Sequence, residues 1–556
     1  MIELVEIIIL VVFELVVRRR VSNHHFSGGW AHRLKARKQS SVLWWLSLSK
    51  SSQNLFGHFS WFRTHFVLPP LLHVVSLCFA IRLRRTTTIL AASANFLLGV
   101  KMIKIVKANE LEGEWFEGRS FGTTNETVHS IIEDVATNGD SALKKYGQKF
   151  DVSAPEAFLI EENELKAAAE KLEKENPEIY NAICYSHELA LKFALRQKSS
   201  FDDFEIELTP GMFTGQKTIP VERAGVYVPA GRFPLVSTVV MTVTPAIAAG
   251  VKEIVLCTPP RIHPEDKSAA QKAGLGVPGS PFVGGKPYAD EGIMAAAYIC
   301  GVKKCYACGG AQSIAAMAYG TETIPPVDVI VGPGNKFVAA AKKEVYGKVG
   351  IDMVAGPTEV FVIADKSANP EWVAADLLAQ AEHDVVAQPV LATDSEEFAA
   401  KVSEQIEKQL EKLSTKEIAR QSIDNCGRII ICDDLEQAAE LANLKAPEHL
   451  ELAMEAGALR DKIQSLVHNF GSLFIGDYAA EVFGDYAAGL NHTLPTNGSA
   501  RFTGGLSVRV FLKTVTTLRA EKGSKGLKKS ATAAGFLGDA EGLAAHAHAA
   551  RIRLGE

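Results

Sequence analysis

Cysteine is scarce in this 556-residue chain, and acidic residues are missing from one whole stretch of it. The cysteines are Cys78, Cys184, Cys257, Cys300, Cys305, Cys308, Cys426 and Cys432, without paired spacing. That excludes a disulfide-framed scaffold and suits a reducing compartment. Cys305-Tyr-Ala-Cys308 is a lone CxxC with no second pair and no nearby histidine, so it reads as an ordinary apolar stretch. The formal net charge is -5, which lacks the positive excess that a nucleic-acid partner calls for. The apolar runs Met1–Val17 and Phe66–Ile81 are shorter than the roughly 20 residues that span a bilayer comfortably. An anchor stays open only for the first, and no stable membrane association is expected. From Val21 to Val100 there is no Asp or Glu, while Arg33, Lys35, Arg37, Lys38, Lys50, Arg63, Arg82, Arg84 and Arg85 are scattered among frequent Ser, Thr and His. Such composition marks a plastid or mitochondrial transit peptide. Residues 1–101 are therefore expected to be a removed leader, with the plastid stroma as destination. Ordinary charged globular sequence begins at Met102, and translation from there would leave the protein in the cytoplasm.

Beyond Met102 the pattern is α/β. Asn125–Tyr146 reads as helix with a break at Asn138-Gly139, followed by helices Glu161–Lys174 and Pro177–Ser199. Arg223–Pro229 reads as a buried strand, Thr238–Gly250 as an apolar helix and Glu253–Cys257 as the next strand, a unit of the parallel-sheet kind. Gly231 follows the first strand's C-terminal end, where open α/β sheets bind ligands, and Tyr227 lies near that edge. Read alone, Tyr227 is a core aromatic. Gly309-Gly-Ala-Gln312 and Val329-Ile-Val-Gly-Pro-Gly-Asn335 are two more glycine-bearing strand-to-helix turns. They could cradle a nucleotide with Gln312 and Asn335 as hydrogen-bonding side chains, or Gly and Asn could simply serve the turns. Gly274-Leu-Gly-Val-Pro-Gly279 matches GxGxxG, but it follows no strand, and Pro278 and Pro281 interrupt any helix it would open. The whole segment Arg261–Pro287 reads as a long Gly/Pro-rich loop, an insertion. A second α/β domain opens with strand Val360–Ala364.

Four clusters carry chemistry. Asp376-Leu-Leu-Ala-Gln-Ala-Glu-His-Asp384 reads as a helix end with Gln380 and His383 three apart, so both side chains reach one point. They could hold a metal, although Gln is a rare ligand; the plainer reading is a polar helix end with His383 near the last carbonyls. Lys445-Ala-Pro-Glu-His-Leu450 sets Glu448 beside His449, suited to general acid–base work or, more plainly, a helix start. Asp485 and His492 lie in a glycine-broken stretch. Glu541 and His546 share an Ala-rich terminal helix, where a histidine is ordinarily surface decoration.

With these residues in view, the chain resembles the histidinol dehydrogenase family. The segments carrying the match are AGVYVPAGRFP, CGGAQSIAAMAYGT, VGPGNKFV, IDMVAGPTEVFVIAD, DLLAQAEHD, APEHLEL, GDYAAGLNHTLPTNGSARFTGGLSV and EGLAAHAHAARIRL. They cover roughly Met102 to the C-terminus, and so many long motifs in one order are highly specific. The resemblance implies oxidation of L-histidinol through L-histidinal to L-histidine, the last steps of histidine biosynthesis, in two hydride transfers to NAD with one Zn2+ per subunit. It implies zinc ligands Gln380, His383, Asp485 and His546, and Glu448 with His449 as the acid–base pair. Thr358, His492 and Glu541 would contact histidinol together with the zinc ligands and His449, and Tyr227, Gln312 and Asn335 would contact NAD. It also implies a homodimer with shared active sites, its C-terminal tail crossing to the partner. The implied fold is two incomplete Rossmann-like domains with parallel sheets plus small terminal dimerisation segments. The expected division is 102–204 as an N-terminal helical segment and first part of the catalytic domain, 205–356 as the NAD domain with its 261–287 insertion, 357–505 as the catalytic domain, and 506–556 as the tail. Within this, Val508–Asp539 lacks the helical regularity expected ahead of the tail. The competing readings are a relative acting on another small alcohol and an inactive binding remnant.

Overall fold

The computed structural model describes residues 102–116, 125–231 and 234–555, so the expected leader lies outside the described residues. Two six-stranded sheets organise them. The first has the spatial order Lys104–Lys107, Arg428–Ile431, Gln388–Thr393, Glu359–Ala364, His449–Ala453, Ser472–Ile475. All its neighbours are parallel. Its central strand is a near-continuous apolar run, as a strand covered on both faces requires, and Phe361 is 1% exposed. Burying such a side chain fully contributes about 1.5–3 kcal/mol. Counted along the chain from Glu359, the strands of this sheet lie 3-2-1-4-5, the Rossmann order, with Lys104–Lys107 added outside the third.

The second sheet repeats that order. Its strands are Gly350–Ile351, Val329–Val331, Arg223–Tyr227, Glu253–Thr258, Lys304–Ala307 and Leu159–Ile160. Counted from Arg223 they run 5-4-1-2-3, the same order seen from the other side. Leu159–Ile160 closes the edge antiparallel. Helix Val236–Ala249 ends at Gly250, whose φ of 97° is the left-handed cap that glycine adopts freely. No helix among the described residues is long and apolar enough to cross a membrane.

The structure corrects two sequence expectations. Arg261–Pro287 is not a structureless loop: it forms a short 3-10 turn, helix Lys267–Ala273 and strand Phe282–Val283, which pairs with Ser153–Ala154. Lys286 reaches Glu265 at 2.6 Å across its base. Alternating glycines and prolines hid this folding because they suppressed the periodic signal. Val508–Asp539 is also regular. Leu512–Ala520 is a strand that joins Met212–Pro220 and Phe204–Thr209 in a three-stranded antiparallel sheet, and Lys525–Ala540 is a helix. Its partner strand lies near residue 216, so no local pattern could announce it. The GxGxxG match is a helix cap at Gly274 followed by a tight Val277–Ser280 bridge, with no nucleotide fingerprint. Cys305 and Cys308 are buried core residues, and the described cysteines are all free.

Candidate active site

The acid–base candidates come together at the amino-terminal ends of two adjacent strands of the first sheet. Helix Leu435–Lys445 stops at Ala446, whose φ is 51°, and Glu448-His449 then starts strand His449–Ala453. The pair therefore follows a helix end and does not open a helix. Its neighbouring strand begins beside it with Thr358-Glu359, Val360 being paired with His449. Glu448 is 6% exposed, and its Oε2 accepts the Glu359 N–H at 3.1 Å. The Thr358 hydroxyl lies within hydrogen-bond reach of both Glu448 and Gln380. That hydroxyl has one proton for two oxygen neighbours, so a protonated Glu448 completes the network. Burial pushes the Glu448 carboxyl up to about 7, opposed by the His449 charge and by the Thr358 and Glu359 hydrogen bonds.

His449 is 3% exposed. Its Nδ1 faces the Glu359 carbonyl at 3.3 Å, with Glu481 at 3.8 Å and Glu448 at 3.9 Å. Its Nε2 points at Asp485 Oδ1 across 3.5 Å, and neither atom has a hydrogen-bond partner although both are buried. Burial opposes the His449 cation, but Glu448, Asp485 and Glu481 together hold its pKa well above the ordinary histidine value. Burial would raise Asp485, yet its contact with His449 keeps it below the ordinary carboxylate value.

Gln380 is fully buried in the last turn of helix Pro370–Ala381. All its polar atoms are satisfied when its oxygen accepts from Glu359 N–H (3.0 Å) and the Thr358 hydroxyl and its NH2 donates to Glu481 (2.9 and 3.0 Å). His383 follows the helix end with its ring open to water. The protein around it nevertheless desolvates the cation and lowers its pKa, while the Asp485 charge works in the opposite sense. His492 bridges the two halves of the fold: Nδ1 meets the Asp485 carbonyl at 3.3 Å and Nε2 meets Thr238 Oγ1 at 3.2 Å on helix Val236–Ala249. Burial lowers its pKa too. A separate cavity of about 200 Å3, lined by Met241, Ser472, Asn491 and Leu506 among others, adjoins this cluster but holds none of its side chains.

The nucleotide candidates lie at the carboxyl ends of strands in the second sheet. Tyr227 is 3% exposed, and its hydroxyl accepts the Gly310 N–H at 3.3 Å; burial raises its pKa. The Gln312 amide folds over Gly310, where a side chain would collide with it. Asn335 caps helix Lys336–Val345 through Phe337 and Val338 N–H (3.0 and 3.1 Å), so here it serves the turn. Gly332 packs against the Tyr227 carbonyl with φ 115°, a position closed to other residues. Lys342, ion-paired with Asp352, donates to the Gly332 carbonyl at 2.8 Å, and Asp352 accepts the Gly332 N–H at 2.8 Å.

Glu541 and His546 do not share one helix: Glu541 caps the end of Lys525–Ala540 and His546 lies in Ala544–Arg551, and both are exposed, outside the Glu448–His449 cluster. Among the described residues, no three His, Cys, Asp or Glu side chains gather in a metal-holding group. Glu359, Lys445, Glu451 and Glu481 were missed from sequence, although Glu359 and Glu451 are charges inside otherwise apolar buried strands, a readable signal.

Two Rossmann-ordered sheets, linked through His492 and Thr238, with a buried carboxylate–imidazole pair at the first, have the architecture of α/β oxidoreductases of the dehydrogenase class. The histidinol dehydrogenase family model matches residues 117–286 and 276–554, the two pieces meeting inside Arg261–Pro287. Histidinol dehydrogenase of Streptococcus mutans is 44% identical over 429 residues, 77% of this chain and 92% of that one. The Aquifex aeolicus histidinol dehydrogenase is 43% identical over 432 residues, again covering 77% and 92%. A crystal structure of histidinol dehydrogenase from Elizabethkingia anophelis superposes with a TM-score of 0.71 at 36% identity, covering 81% of this chain and 98% of that one. The chain belongs to the histidinol dehydrogenase family.

Proposed function

We propose that the protein oxidises L-histidinol through L-histidinal to L-histidine in two hydride transfers to NAD, as a zinc-loaded homodimer with shared sites. The observation that carries the chemistry is the buried Glu448–His449 pair, with His449 Nε2 free of a hydrogen bond and facing Asp485 Oδ1 at 3.5 Å. The Glu359 carbonyl favours a proton on Nδ1; Glu448, Asp485 and Glu481 hold His449 toward its cation, so Nε2 would take the alcohol proton as hydride departs only once a metal on Asp485 had relieved that charge. Glu448, at about 7, is partly ionised near neutral pH and can draw a proton from the water that hydrates the aldehyde. Tyr227, Gln312 and Asn335, at strand carboxyl ends of the second sheet, would contact NAD, which would accept the hydride. Thr358, His492 and the partner's Glu541 would hold histidinol.

The donor set suits a zinc ion: Asp485 Oδ1 is buried without a hydrogen bond, His383 is exposed, and Gln380 brings an amide oxygen from the same helix end. Bound there by Gln380, His383, Asp485 and the partner's His546, the metal would act as a Lewis acid positioning the substrate's amine and imidazole. The tail's exposed Phe536, Leu537 and Leu543 support docking on a second copy. The acid-poor first hundred residues support a plastid destination.

Protein starting at Met102 should produce two NADH per histidinol, lose activity to a chelator and regain it with zinc. NADH formation that survives full metal removal would overturn the zinc assignment. Shared sites have their own signature: mixing Glu448→Gln with His546→Ala subunits, each strongly impaired alone in forming histidine, should restore about a quarter of parental histidine formation, because random pairing leaves one site in four intact. No recovery in a confirmed mixed dimer would place each tail in its own subunit.

A further inference from the structure

Two buried charges stand behind the catalytic pair. Glu359 and Lys445 are 2% and 4% exposed, and carboxylate and ammonium meet at 2.7 Å. The main chain of Glu359 serves both catalytic side chains, donating its N–H to Glu448 at 3.1 Å and presenting its carbonyl to His449 Nδ1 at 3.3 Å. Its second carboxylate oxygen accepts the Asn497 N–H at 2.7 Å. Lys445 ends its helix just ahead of Glu448, with its ammonium 5.6 Å from the Trp115 ring centre. Thus one ion pair joins three segments that each carry site residues: 358–359, 445–449 and 492–497.

The backbone around it is strained at two places. Among the described residues, Ala446 and Asn497 are the non-glycine positions with positive φ, 51° and 54°, and each adjoins this pair. Such conformations persist only where the surroundings over-determine them. A buried ion pair is moreover a poor source of stability, since a well-packed apolar pair of similar volume usually serves as well. Geometry is what remains for it to supply. We propose that Glu359 and Lys445 are positioning residues whose ion pair sets the placement of Glu448 and His449 relative to each other and to the substrate. This rests on the functional reading above for its activity readout.

The test uses the full chain with three changes: the double variant Glu359→Met/Lys445→Met, the single Glu359→Gln, and Lys445→Arg. The double variant should fold and melt like the parent, yet lose kcat about 30-fold or more with the KM for histidinol and NAD within about threefold. Glu359→Gln keeps an acceptor for Asn497 but no charge and should lose kcat about tenfold, while Lys445→Arg should stay within about threefold of parent. A folded double variant with parental kcat, a loss carried mainly by KM, or a Lys445→Arg variant as impaired as the double would overturn the proposal. If the double variant does not fold, Glu359→Gln decides by the same kcat-against-KM criterion. An inactive parent would defeat the functional reading alone; crystal structures then decide here, an unchanged Glu359–His449 contact in the variants counting against the proposal and a displacement of about 1 Å counting for it.

Discussion

The two sheets share one strand order but face their candidate sites with opposite edges. In the second sheet Tyr227, Gln312 and Asn335 follow strand carboxyl ends, where Rossmann-ordered sheets ordinarily bind ligands. In the first sheet Thr358, Glu359, Glu448 and His449 stand at strand amino ends. Helix polarity follows the edge. The second sheet offers helix beginnings at Gly310 and Lys336, the positive ends that suit an anionic cofactor. The first offers the ends of helices Pro370–Ala381 and Leu435–Lys445, whose carbonyls suit a cation. The furnishing differs accordingly. Glu359, Lys445, Glu448, His449, Glu451 and Glu481 are all buried around the first edge, whereas Gly, Pro and backbone groups dominate the second, with Lys342–Asp352 clamping one loop. Strand order alone therefore does not say which edge of a sheet works.

Substitutions can test that contrast. The largest effect should come from the first edge: His449→Asn removes the proposed proton acceptor and should lower kcat by about 10³, read as NADH formation at saturating substrates. A loss under tenfold would remove His449 from the proton path. Next, Glu448→Gln should slow histidinal oxidation about 10² while affecting histidinol oxidation less; equal losses in separate assays would sink that division of labour. Glu448 also bears on stability. Its folded pKa of about 7 lies above its ordinary 4.5, so its stabilising contribution is complete below about pH 4.5 and is lost as pH rises through 7. Urea unfolding of the metal-free protein should show the parent losing stability across that window relative to Glu448→Gln; parallel curves would contradict the raised value. The smallest effect belongs to the second edge. Tyr227→Phe deletes one hydroxyl contact with Gly310 N–H and should raise the KM for NAD by about two- to tenfold with kcat nearly unchanged.

Legibility in the sequence followed locality. Motif residues Thr358, Gln380, Glu448, His449, Asp485 and His492 converge through mutual contacts, but the α/β pattern located the elements only around Thr358 and Gln380: Glu448-His449 open a strand, not a helix, and Asp485 lies in helix Glu481–Tyr486, where the glycines suggested a loop. The helix break at Gly139 was readable locally, and its φ of 53° bears it out. The antiparallel sheet was invisible, since Leu512–Ala520 finds its partner strand at the other end of the domain. The fold hidden in Arg261–Pro287 escaped because turns, a two-residue strand and one short helix leave no period to detect. Lys445 escaped for another reason: a lysine at a helix end is ordinarily a solvated cap, and only the burial of Glu359 opposite makes it more.

Among the described residues, the strand Lys104–Lys107 pairs with Arg428–Ile431 alone. A ribosome adding about 5–20 residues per second makes that partner on the order of 15–60 s later. Throughout that interval the second sheet can close while Lys104–Lys107 waits with its edge unpaired, a template for wrong pairing. The first of the described strands is thus among the last to be satisfied, and its wait sets a window in which a holding chaperone would raise the yield of folded protein.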